Sequence, residues 1–308
     1  MQSDILFNEI YEEVKKAHYI LVVTAQNSTV DAICCSLSLS NFFYENKIKH
    51  KVFNPSSFSW LLKRLKFLNK FDKITQNLPQ FYDLIIFVGS ENSDKMGNYF
   101  NKEIKSIVID NNNKSSISES FYNFYKVNKL HLSKKNAECL YTGIYEESKA
   151  FTSHKTSKDT FLILSELMEF KIDVSYINNR LLKRDSLARV RLLNKIMNSL
   201  DLFLEGKIAI VHLENHWLKQ TGASRDECDD VLDKVLSLGV VEIAAYVCII
   251  ENQARVSFQS KDFIDFSKLI HVFDIDKNNN TALISIDTKD ISIAKEQVVQ
   301  IITNYILS

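Results

Sequence analysis

The 308-residue sequence predicts an α/β protein: a larger domain built on a parallel sheet with crossover helices, then a smaller α/β domain. Three observations predict it. Apolar, β-branched runs alternate with longer helical patterns through the first half. An almost purely helical stretch follows from about residue 133 to residue 200, and beyond it a second set of strand-like runs begins. With 45% hydrophobic and 25% charged residues, the composition is that of an ordinary folded chain with room for two cores.

The elements follow in order. "YILVV" (19–23), "KHKVF" (49–53), "DLIIFV" (83–88) and "SIVI" (106–109) are apolar enough to be strands covered on both faces. Between the first two, "VDAICCSLSLSNFFYEN" (30–46) carries apolar residues at helical spacing. Strand, helix, strand in that order implies a parallel sheet with crossover connections. "TFLILSELMEF" (160–170) and "SYINNRLLKRDSLARVRLLNKIMNSL" (175–200) are helical, and the second is charged and long enough to bridge two domains. The expected division is therefore residues 1–184, a linker helix at 185–200, and residues 201–308. "KIAIVHL" (207–213), "VEIAAYVCII" (241–250) and "ARVSFQS" (254–260) read as strands, and the polar "ENQ" between the last two predicts a hairpin. A helix near 263–271, a strand "TALISID" (281–287) and a terminal helix from about 290 to 305 complete the chain.

Charge and composition limit the function. Lys plus Arg equals Asp plus Glu at 38 each, so no global field draws the chain to nucleic acid or an anionic membrane, and any polyanion site must be local. No apolar run reaches the roughly 20 residues of a membrane span, and "MQSDILFNEIYEE" has no basic stretch followed by an apolar core. A cytoplasmic protein without membrane insertion is the expectation. The five cysteines, Cys34, Cys35, Cys139, Cys228 and Cys248, are odd in number and never spaced C-x-x-C, which predicts buried reduced thiols. "VGSENSDKMG" and "QTGASRD" match neither a phosphate loop nor a dinucleotide fingerprint. His50, His131, His154, His212 and His216 show no paired metal-ligand spacing, and no histidine stands beside Thr29 to serve as its base. "LLKRLKFLNKFDK" (61–73), interleaved with Phe67 and Phe71 and preceded by Trp60, reads as a basic amphipathic helix. Its basic face is either simply solvated or a contact face for a protein or nucleic acid.

The strand "KSIVI" runs into a polar corner at Asp110, Asn111, Asn112 and Asn113. That corner, a helix opening with Asp31-Ala32, the stretch "AECLYTGIYEESKAF" (137–151) and the stretch "INNRLLKRDSLARVRLL" (177–193) together resemble the DHH phosphoesterases, in the RecJ-like branch of oligoribonucleases and adenosine bisphosphate phosphatases. The resemblance covers nearly the whole chain and implies a DHH domain, a helical linker and a smaller DHHA1-like domain. It also implies a pair of divalent metals, usually manganese, held by carboxylates and imidazoles.

Position by position, the family's ligand frame is altered. Its first motif, a His and two Asp, reads Ala25, Thr29 and Asp31; its bridging Asp is Gly89; its Asp-His-His signature is Asp110, Asn111 and Asn112; its last metal-binding Asp aligns with Glu147. Asp31, Asp110 and Glu147 keep charge, while the bridging ligand and every imidazole are lost. The expectation is no bound metal, and a catalytically degenerate homologue retained for binding a protein or a nucleotide partner. The alternative is an active manganese-dependent phosphoesterase on short oligonucleotides or nucleotide phosphates, with ligands redrawn from Asp31, Glu91, Asp94, Asp110 and Glu147. Plainer roles stand beside these: Asp31 as cap of the helix it opens, Asp110 as organiser of the Asn turn, Glu91 and Asp94 as caps of a following helix. In the second domain the family's glycine-rich turn ending in His reads "FDIDKNNNTA" (273–282), and its Arg corresponds to Gln259. An amide lacks both charge and fork of a guanidinium. Ser260 and Lys261 remain as substrate-contact candidates.

Overall fold

The computed structural model describes residues 2–25, 28–55, 60–89, 100, 103–111, 114–153, 155–183, 185–228, 230–261 and 281–306. The chain divides into two units at Arg184 and Asp185.

The first unit opens with helix α1 (Gln2–Lys16), followed by strand β1 (Ile20–Thr24), helix α2 (Val30–Glu45) and strand β2 (His50–Phe53). A short helix α3 (Trp60–Lys63) and two 3₁₀ turns lead to β3 (Leu84–Val88) and β4 (Lys105–Ile109). Helices α4 (Ile117–Val127), α5 (Lys134–Glu147), α6 (Lys158–Met168) and α7 (Val174–Leu182) close the unit. The strands form one parallel sheet in the order β2-β1-β3-β4. Alternate residues of each strand enter opposite cores. Ile20, Val22, Leu84, Ile86 and Val88 join the large core with α1, α2, α4 and α5, whereas Leu21, Val23, Ile85 and Phe87 pack with Phe53 and Phe100 on the other face. This double burial is why the strands read as unbroken apolar runs. Because β1 lies between β2 and β3, the chain reverses its direction of travel across the sheet at β1 and β3, where α/β sheets open a crevice beyond their carboxyl ends.

The second unit starts with helix α8 (Leu187–Asn198), then β5 (Asp201–Phe203), β6 (Ile208–Leu213), helices α9 (Asn215–Thr221) and α10 (Val231–Leu236), strands β7 (Ile243–Ile250), β8 (Gln253–Ser260) and β9 (Thr281–Ile286), and helix α11 (Ile291–Ile306). Its sheet runs β5-β6-β7-β8-β9, with β6 and β7 parallel and the other pairs antiparallel. The predicted hairpin joins β7 to β8 through Glu251 (φ 48°) and Asn252 (φ 71°), the two left-handed residues of a type I′ turn.

Two sequence readings change here. The stretch 175–200 is two helices, with a break between Leu182 and Leu187, and residues 185–200 belong to the second unit instead of standing between the domains. Ser186 caps α8 by accepting from Arg189 N at 2.9 Å, and Leu192 and Ile196 are fully buried with Ala209, Val211 and Leu213 of β6. Arg189, 2% exposed, fastens the helix by pairing with Asp185 and Asp230 and donating to Glu227 O. The basic segment 61–73 is also no continuous helix. It breaks into α3 and the 3₁₀ turns Arg64–Phe67 and Phe71–Lys73, separated by Lys70 in the left-handed region at φ 68°. The predicted helix near 263–271 lies outside the described residues.

Candidate functional site

The carboxyl ends of β1, β3 and β4 bring Thr24, Ala25, Gly89, Asp110 and Asn111 to one edge of the sheet. The loop after β1 is held by neutral groups. Asn54, 1% exposed, donates from Nδ2 to Thr24 Oγ1 at 2.9 Å and Ala25 O at 2.8 Å, and Ser28 Oγ donates to Ala25 O at 2.6 Å. Thr29 then caps α2, its hydroxyl accepting from Ala32 N at 3.1 Å. With Thr29 in that position, Asp31 is free of its own helix.

Asp31 instead points inward and serves another helix. It is 2% exposed and accepts from Ile117 N at 2.5 Å, Ser118 N at 3.0 Å and Ser118 Oγ at 2.5 Å, which are the first amides and first hydroxyl of α4. The expected cap of α2 is therefore a cap of α4. Close approach of α5 completes the enclosure. A β-carbon on Gly143 would lie 2.7 Å from Asp31 Oδ1 and 3.1 Å from Cys34 Cβ, and would overlap Ser118 Oγ, so only glycine lets α5 pass here. Burial, together with the charge of Glu147, outweighs the three donors and pushes the Asp31 carboxyl up to about 7. Glu147, half-buried at the end of α5, is itself raised by burial, with Lys155 and Lys149 working against the shift.

The other positions of the ligand frame that the resemblance implies supply no ligand set among the described residues. Gly89 has φ 101°, a conformation open to glycine and strained for aspartate, and its N–H donates to Ile109 O at 2.7 Å. Asp110 is half-buried beyond β4, and Asn111 O accepts from Lys114 N at 2.7 Å to close the turn. Glu91, Asp94 and Asn112 lie outside the described residues. Among the described residues no three His, Cys, Asp or Glu side chains gather where they could hold a metal ion. A manganese pair does not fit what is described: both oxygens of Asp31 already accept hydrogen bonds inside the core, and Ala25, Thr29 and Gly89 offer nothing in place of the missing carboxylates and imidazoles.

In the second unit, the substrate-contact candidates are held by the protein's own groups. Lys261 Nζ donates to Leu238 O at 2.6 Å and Gly239 O at 3.1 Å, Gln259 Nε2 donates to Asp233 Oδ1 at 2.6 Å, and Ser260 is buried. All five cysteines are buried, and none is in a disulfide. The sequence reading missed Asn54, Ser118 and Gly143. Of these, only Gly143 left a signal, a glycine inside an otherwise well-formed helix.

No protein-family model matches the chain, and no curated protein matches it. Solved structures do. An exopolyphosphatase-related protein from Bacteroides fragilis superposes with a TM-score of 0.86 at 19% identity, over 99% of this chain and 97% of the other. The exonuclease RecJ bound to manganese gives a TM-score of 0.51 at 11% identity, over 97% and 93% of the two chains. RecJ from Thermus thermophilus in complex with Mn2+ gives 0.50 at 12% identity, over 92% of this chain and 52% of that one. The chain shares the fold of these structures: an α/β domain on a parallel sheet followed by a second α/β domain on a mixed sheet.

Proposed function

We propose that this chain is a catalytically degenerate protein of the DHH fold, retained to bind a partner instead of hydrolysing phosphoesters. The observation that carries the reading is the commitment of Asp31. The one carboxylate left in the first motif spends both oxygens on the amino end of α4, in a pocket closed by Gly143. A two-metal site acts as a unit, so a single diverted carboxylate beside neutral positions at Ala25, Thr29 and Gly89 leaves no partial catalyst. A protein partner is the class we favour, since fold is kept while ligands are lost. Five buried cysteines outside any disulfide fit a reducing compartment such as the cytoplasm, and no described helix is long and apolar enough to cross a membrane.

The test pairs calorimetric titration of manganese with hydrolysis assays on a dinucleotide and on adenosine bisphosphate. We expect no saturable two-site binding and no turnover above the buffer rate. Two sites at micromolar manganese together with hydrolysis would overturn the reading and establish the phosphoesterase alternative, in which the ligands are drawn from Asp31, Glu91, Asp94, Asp110 and Glu147.

A further inference from the structure

We infer that the face formed by the carboxyl end of α2 and the turns between β2 and β3 docks an acidic segment of a partner protein. This names a partner for the binding role proposed above and rests on that reading. Residues 46–73 hold seven Lys and one Arg against a single Asp, in a chain whose charges balance overall. Elsewhere in this unit many lysines have a carboxylate: Lys15 has Glu12, Lys105 has Glu13, Lys114 has Asp159 and Lys126 has Glu166. Lys63, Lys66, Lys70 and Lys73 make no ion pair among the described residues. The neutral whole thus conceals a local positive field.

That field surrounds a cavity of about 310 Å³ whose lining includes Tyr44, Asn69, Lys70, Asp72, Lys73 and, on its rim, Lys135 of α5, so three ammonium groups stand there against one carboxylate. Lys70 is fixed in place. Its left-handed backbone is uncommon for a side chain of that size, and its ammonium lies 3.3 Å from the centroid of the Tyr44 ring. A lysine already held loses less freedom when a ligand arrives. Tyr44 sits thirteen residues along α2 from Asp31, roughly 20 Å at 1.5 Å per residue, so this cavity is at the opposite end of the helix from the family's metal positions.

Three features favour a peptide over a nucleic acid strand. One face of the Tyr44 ring is covered by the Lys70 ammonium, so a base has only the other, exposed face to stack on. Arg64, the one guanidinium of the segment, is turned inward to Glu146 and Leu181 O, so no fork is presented to phosphates. Asn69 has a solvent-screened amide oxygen with no hydrogen-bond partner among the described residues, and a peptide N–H can satisfy it where a phosphodiester backbone has no donor.

The experiment is fluorescence anisotropy of a labelled peptide of alternating glutamate and leucine, titrated with the full chain at about 0.05 M and about 0.3 M salt. Expected are saturable binding that weakens with salt, and a loss of at least about tenfold in affinity in the triple variant Lys70→Ala, Lys73→Ala, Lys135→Ala. The control variant Lys15→Ala, Lys114→Ala, Lys126→Ala should bind like wild type, with circular dichroism showing both variants folded. The inference is overturned if no saturable binding occurs, if the triple variant binds unchanged, or if an oligothymidylate of equal charge binds as tightly through the same lysines. Hydrolysis in the manganese assay would overturn the degenerate reading without altering the peptide result, so the two failures are distinct.

Discussion

Replacing Asp31 with Asn separates a helix-capping carboxyl from a metal-ligating one. The amide keeps the size and one acceptor, so Ser118 N and Oγ retain a partner, but an NH₂ then faces Ile117 N–H. One unsatisfied buried amide costs about 1–2 kcal/mol. Against this stands the burial of charge. The Asp31 carboxyl is raised from the usual 3.8 to about 7 in the folded protein. With the folded value raised, the wild type has its full stability below about pH 4 and loses it as pH climbs towards 7, because the unfolded chain releases the proton first. Between about pH 5 and about pH 8 that loss amounts to roughly 3 kcal/mol, at about 1.4 kcal/mol per unit, and the Asn variant escapes it. The variant should therefore be slightly less stable than wild type near pH 5 and more stable near pH 8. In a Trp217→Phe background Trp60 is the remaining tryptophan and belongs to the first unit, so its fluorescence during urea unfolding follows the relevant transition. A gap between variant and wild type that stays constant with pH, or that moves in favour of wild type as pH rises, would refute the argument. The latter would mean that the three donors overcome burial and hold the carboxylate ionised.

Gly143→Ala should destabilise the first unit by about 1–3 kcal/mol, because the added methyl meets Asp31 and Ser118 with no room to yield; the same Trp60 unfolding curve measures it. Arg64→Ala should cost about 3 kcal/mol, since it strands Glu146 and leaves Leu181 O without its 2.6 Å donor in a pair whose side chains are only 15% and 16% exposed. Glu146 is raised by burial even with Arg64 beside it, so much of that cost should vanish when Glu146→Gln is added, and a double-mutant cycle measures the difference.

The sequence by itself determined the two-domain α/β order, the fully covered strands, the β7–β8 hairpin and the ligand types that are missing at Ala25, Gly89 and Asn111. These are local properties. Periodicity, turn chemistry and residue identity are set within a few neighbours of each position, and they read the same in any context. What only the tertiary structure decided is where the charged groups went. Asp31 sits at the start of α2, where sequence reasoning gives it to α2, yet Thr29 takes that cap and the carboxylate finds its donors 86 residues away at Ile117. Arg64 reads as part of a solvated basic helix, yet it pairs with Glu146, 82 residues distant, and the helix breaks around it. Lys70 takes a left-handed backbone that no local signal requires and places its charge on Tyr44. A charge is costly to bury alone and selective in what satisfies it, so its placement is settled by whichever donors the packed fold brings within about 3 Å, and those come from parts of the chain that local pattern cannot join.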